Sequence, residues 1–326
     1  MAHELSIRKN GKAEMAYVGE TPWHGLGQSL ESGASIDDWK VAAGLDWKLA
    51  RSRVRFGEGA NQQIFDDRHV LFRSDTKKPL SVVGKNYKIV QPGDILEFFR
   101  DLVADNGFTL DTAGSLFDGK RLWAQALIGE DAVIAGEDVV RGRLLLSTSC
   151  DGTMATTARY VTERVVCFNT LSMALNEKQK KIAKIHHNAV FKPGMMKDEL
   201  GIARGQFKEF VTAARTLTKK TMREQAAKDF VAKLLLDTKT VTAKVEPEKA
   251  VLESEAFKKI IGLFAGSAMG GLLRGTEGSA WGVVNAVTEY TDHHARSGSA
   301  SNKLDNAWFG KGDVLKTAAF SAALAL

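Results

Sequence analysis

The chain has 326 residues, 44% hydrophobic and 26% charged, with a formal net charge of +6, which is apolar content enough for one large core or two moderate ones. Its two cysteines, Cys150 and Cys167, exclude a disulfide framework and a self-contained thiolate zinc site, although one isolated disulfide stays open. No window reaches the roughly 18 apolar residues of a membrane span and MAHELSIRKNGKAEM lacks a secretory apolar run, so the expectation is a soluble protein of a reducing bacterial cytoplasm with no membrane partner.

Three parts follow in chain order: residues 1–45, 46–192 and 193–326. The first carries PWHGLG at 22–27, where Trp23 reads as a core anchor and His24 has no identifiable partner for ligand or acid chemistry. Ser35 with Asp38 three residues on predicts a helix opened by a capping box with a shortened acid, and Gly44 predicts its end.

The second part reads as mostly β. DWKLARSRVRF alternates at period two, so Arg51, Arg53 and Arg55 project from one face of a strand and Ala50, Val54 and Phe56 from the other. Arginines at that spacing stand roughly 6.6 Å apart. They form either a row able to track the phosphates of an extended single strand or a solvent face balanced by Asp66 and Asp67. A helix from about Gly93 to Asp105 ends at Asn106 and Gly107. Asp118-Gly119 and Asp151-Gly152 each mark a hairpin, the second running through RGRLLLSTSCDGTMATTARYVTERVVCF.

RVVCFNTLSMAL, residues 164 to 175, reads as a strand fused directly to a helix. Leu171, Ala174, Leu175, Ile182 and Ile185 recur near period 3.6 and predict a helix from Thr170 to His187, capped by Asn169, with Lys178, Lys181 and Lys184 on or beside another face. Such a corner would aim a positive helix terminus at one place, where a phosphate could be held.

The third part is helical, with a long charged helix from about Lys197 through Lys233, a break at Pro247, and helical spacing in ESEAFKKIIGLFAGSAMGGLLRG and SAWGVVNAVTEYTDHHAR. The fold class is therefore α+β: a curved antiparallel sheet of β-hairpins backed by helices, followed by a mostly helical C-terminal part.

Charge is informative once located. Between Arg141 and Lys192 nine cations face three anions, an excess equal to the net charge of the whole chain. That concentration suggests a polyanion site, although charge runs are also commonly solvated faces. The residues singled out for backbone charge are Arg141, Arg143, Arg159, Arg164, Lys178, Lys181 and Lys184, with Arg51, Arg53 and Arg55 as a further row. Tyr160 or Trp123 would stack on bases, Trp123 serving equally well as core.

Catalytic groupings are scarce. Cys167 with His186 or His187 would make a nucleophile and base, but its apolar strand suits an inert packing thiol. Glu289 and His293 have i, i+4 ligand spacing beside Asp292, without an H-E-x-x-H pattern. LFAGSAMGGLLRG has neither the Walker ending nor a Rossmann G-x-G-x-x-G, so no nucleotide cofactor is indicated.

AYVGETPWHGLG, NYKIVQPGDILEFF, STSCDGTMA, RVVCFNTLSMAL, GSAWGVVNAVTEYTDHHAR and WFGKGDVLKTAA together resemble the phage/plasmid-like proteins built on the domain of unknown function 932, in that family's order from residue 16 to 319. Phe168 departs from the Gln that often follows the Cys of the VVC-NTL block. The resemblance implies a mobile-element context and leaves mechanism open. The expected architecture is also similar to the core of single-strand annealing recombinases, which hold a strand's phosphates in a basic groove of a ring or filament. What these resemblances imply is a homo-oligomeric protein that binds single-stranded DNA and supports recombination or replication by strand annealing. The alternatives are a metal-dependent nucleic-acid-processing enzyme and a non-enzymatic assembly or regulatory protein.

Overall fold

The computed structural model describes residues 5–8, 10–22, 25–106, 108–129, 131–166, 169–172, 183–192, 203–241, 246–296 and 300–326. The chain forms an α+β fold of mostly antiparallel sheets with helices concentrated toward its C-terminal part. It divides into two compact units, one of Met1–Gly129, Leu144–Arg159 and Ile182–Gly201, the other of Glu130–Arg143, Tyr160–Lys181 and Ile202–Leu326.

In the first unit β1 (Met15–Val18) pairs parallel with β2 (Gln28–Leu30) and antiparallel with β6 (Thr109–Leu116). β6 continues into β7 (Arg121–Leu127) through the turn Phe117–Gly119. Asp118 and Gly119 both take positive φ there, at 57° and 94°, the geometry for which the Asp-Gly pair was read. Helices α1 (Ile36–Ala43) and α2 (Pro92–Asn106) pack on this sheet and bury Trp39, Ile95, Leu96, Phe98 and Phe99. The α1 start has both arms of its capping box: the Ser35 hydroxyl accepts from Asp38 N–H, and Asp38 accepts from Ser35 N–H. Gly44 ends it at φ 74°.

A separate three-stranded sheet in this unit has the order β3 (Leu49–Phe56), β4 (Gln63–Arg73), β5 (Pro79–Gly84). One end is anchored by Arg73. Its guanidinium makes two bonds to Glu14, at 2.6 and 3.0 Å, and two to Asp75, and lies 4.4 Å from the centre of the Trp47 ring.

The second unit contains β8 (Ala132–Ala135), the first residues of β9 (Asp138–Ser149), the last of β10 (Thr156–Arg164), and β11 (Asn169–Ser172). β12 (Ala183–Ile185) pairs in the first unit with the start of β10. The second unit's core is helical: α3 (Ala203–Leu217), α4 (Glu224–Asp237), α5 (Pro247–Glu253), α6 (Glu255–Gly262), α7 (Ala280–Glu289), α8 (Ala300–Phe309) and α9 (Lys311–Leu324). Phe210 stacks on Phe320 at 5.0 Å beside Trp281, at its centre.

Two expected elements are corrected. The helix from Thr170 to His187 does not run through its ends: residues 169–172 are β11, in register with β10 from Arg164↔Asn169 to Val161↔Ser172, and Ala183–Ile185 is β12. Asn169 therefore opens a strand and caps no helix. The unpaired backbone groups of β10 outweigh the local helical period, because a buried strand must find ladder partners. The middle of that predicted helix, with Lys178 and Lys181, lies outside the described residues, as do Trp23, His24 and Cys167. The helix expected through Lys233 is two helices, broken at residues 218–223, where a threonine- and lysine-rich stretch turns and Thr221 bridges to Ser279.

Candidate nucleic-acid interface

The alternation that defines β3 leaves Arg51, Arg53 and Arg55 exposed on one face, opposite Leu71, His69 and Ile64 of β4. β4 carries a bulge of residues 66–68 between the partners of Arg53 and Val54, while β3 stays regular, so the three arginines keep one side. Among the described residues none of them is in an ion pair. Asp67, one of the two acids invoked as a counter-charge, is engaged instead by Lys85 at 2.7 Å, which holds the Asp67 carboxyl below its ordinary value.

The other face bears Phe56 and Phe65, 53% and 46% exposed, their rings edge to face with centroids 6.4 Å apart. Phe65 stands opposite Val54, two positions from Phe56 along the ladder and so on the same face. The two rings pack on each other and leave about half of their surface open to solvent. Because β3 is an edge strand, a ligand lying along it can reach cations on one side and rings on the other. Phe65 is not legible from the sequence, because the apolar residues of QIFDDRHVLF pair across a bulge and break the simple alternation of a strand.

The other cations singled out are dispersed. Arg143, Arg159 and Arg164 are buried, as is Tyr160. Arg143 pairs with Glu163 at 2.8 Å, Arg164 with Asp138 at 2.7 Å, and the half-buried Arg141 with Asp131 at 3.1 Å. Their placement on one open surface is thus corrected: three of these arginines neutralise acids within the protein. Asp131 and Asp138, the partners of Arg141 and Arg164, precede the basic segment in the chain, so its local excess of cations does not reveal these two pairs. Burial also pushes the Tyr160 phenol up and removes it as a stacking surface, and Trp123 is core at 2% exposure. Lys184 is exposed on β12.

The profile of the family described as a domain of unknown function, DUF932, matches residues 79–308, more than two thirds of the chain. The chain belongs to the DUF932 family. No curated protein and no solved structure matches it. The β3–β4 ribbon precedes the segment matched to DUF932, whereas the Arg143–Glu163 and Arg164–Asp138 pairs and most of the C-terminal helices fall inside it.

Within the DUF932 segment, the glycine-rich stretch after α6 serves Arg164. Arg164 donates to the carbonyls of Met269 and Gly270 at 3.2 and 3.0 Å and to the Thr276 hydroxyl at 3.1 Å, while Asp138 also accepts from Trp281 Nε1 at 2.7 Å. Glu289 is buried and accepts from Met269 N–H at 3.0 Å. Asp292 accepts from Lys316 Nζ at 2.7 Å and from Thr170 N–H, also at 2.7 Å. Among the described residues no group of three or more His, Cys, Asp or Glu side chains gathers as a metal site, and no helix is long and apolar enough to cross a membrane. Cys150 is a buried free thiol raised by desolvation.

Proposed function

We propose that this protein binds single-stranded nucleic acid along the open edge of β3, with Arg51, Arg53 and Arg55 on the phosphates and Phe56 and Phe65 offering rings to the bases. What supports the reading is the exposed cationic row, without ion-pair partners among the described residues, backed by an exposed aromatic pair. Cations spaced along an extended strand match a repeating polyanion, and base-aromatic stacking is tolerant of sequence. The proposal includes the mobile-element setting implied by the sequence resemblance, in which a homo-oligomer would align several such edges on one strand for annealing in recombination or replication.

The test is a salt series measuring affinity for single-stranded DNA, duplex DNA and RNA, on the parent and on the Arg51→Gln/Arg53→Gln/Arg55→Gln variant. The expected result is preferential single-strand binding that weakens steeply with salt and falls by at least about tenfold in the variant. Equal affinity of parent and variant would remove the arginine face as the site. Light scattering with and without the oligonucleotide tests the oligomer.

A further inference from the structure

The C-terminal unit holds a cavity of about 790 Å³ with no part in that reading. Its wall comes from separate elements: Glu255 and Lys259 on α6, Tyr290 and His294 in the turn after α7, Arg296 beyond it, Asp305 and Asn306 on α8, and Lys311 at the start of α9. Lys259, Arg296 and Lys311 are exposed into solvent-accessible space, and among the described residues none of them is in an ion pair.

We infer that this cavity is a binding site for a small phosphorylated molecule with a hydroxylated body, such as a nucleoside polyphosphate, its phosphates held by Lys259, Arg296 and Lys311. Cations that converge from three elements onto one concavity form a multivalent anion site, which a solvated helix face does not. The volume lies in the range of sites for ligands of nucleotide size. Glu255 and Asp305 line the same wall, and their carboxylates suit the hydroxyl or amino groups of such a body rather than its phosphates.

Two further features agree. The residues Tyr290–His294 form a π-turn closed by Ala295 N–H to Tyr290 C=O at 2.6 Å, a rare winding that re-aims side chains and recurs at functional sites. The local field is positive enough that, after burial, Lys259, His293 and Lys303 push the His294 imidazole down.

Calorimetric titration of the full chain with ATP, inorganic pyrophosphate and inorganic phosphate tests the site. Pyrophosphate is expected to bind, ATP more tightly, and each of Lys259→Gln, Arg296→Gln and Lys311→Gln to weaken both by about tenfold or more. Since all three side chains are exposed, an unchanged melting temperature confirms that the variants are folded. The Arg53→Gln/Arg55→Gln variant is expected to titrate like the parent, which separates this site from the β3 edge. Absence of pyrophosphate and ATP binding at millimolar concentration would overturn the inference, as would binding that survives the three substitutions combined. ATP binding no tighter than pyrophosphate would overturn the part given to Glu255 and Asp305.

Discussion

Arg164 donates through Nε to Asp138 Oδ1 at 2.7 Å, and the two side chains are 2% and 1% exposed. The pair closes a network in which the guanidinium also holds two carbonyls of the glycine-rich loop and the carboxylate holds Trp281. Charges this far from water persist only when every remaining donor and acceptor is used. Asp138→Ala strands the guanidinium and is expected to cost about 3–5 kcal/mol, read from the urea midpoint of unfolding. A loss under about 1 kcal/mol would mean that Arg164 finds water or another acid.

The arginines of β3 predict the opposite behaviour. Each is exposed, so replacing Arg51, Arg53 or Arg55 by Gln should shift stability by no more than about 0.5 kcal/mol. If all three contact phosphates, the slope of log affinity against log salt for a single strand should shrink by about two in the triple variant. An unchanged slope would show that the ions released on binding come from elsewhere.

Two glycines separate backbone freedom from space. A Cβ at Gly282 would stand 2.1 Å from the Thr276 carbonyl oxygen, so Gly282→Ala must displace backbone and is expected to destabilise by at least about 2 kcal/mol. At Gly84, in β5, a Cβ meets nothing within 4 Å and φ is ordinary. Gly84→Ala should be neutral or stabilise by up to about 1 kcal/mol, because it narrows the unfolded ensemble. Thermal melts of the two variants side by side give the contrast.

Burial raises the Glu289 carboxyl above its ordinary value, against the opposing pull of Met269 N–H, Arg164 and Lys259. A group raised on folding contributes stability that is fully present below its unfolded value, near 4.5, and lost as pH climbs through its folded value. Glu289→Gln keeps an oxygen for Met269 N–H and removes the charge. Its melting temperature relative to the parent should therefore rise as pH goes from about 4 to about 8. A difference that is flat with pH, or that falls, would place the charged form as the favoured one.

Three local signals carried through to the structure, whereas the helix cap expected of Asn169 did not. Ser35 with Asp38, Gly44, and the Asp118-Gly119 turn each work through atoms within a few residues of one another, so their spacing alone predicts them. Residues 169–172 and 183–185 failed for the complementary reason: their helical period was real, but both are ladder partners of β10, and pairing of a buried strand is settled by the whole sheet. The candidate site divides in the same way. The β3 arginine row was legible from alternation, whereas Phe65 needed the bulge in β4 to be seen beside Phe56.

The α+β class, the membership of DUF932, the two ends of α1, the Asp118-Gly119 turn and the stripe of arginines on one strand are all written in residue type and spacing along the chain. Which cations face outward is a matter of how the chain folds. Arg143 and Arg164 differ from Arg53 through acids 20 or more positions away, Glu163 and Asp138, that folding brings to within 3 Å. A charge is a surface charge or an interior one according to the company the fold gives it, because the cost of removing it from water must be met by a partner that the linear order does not reveal.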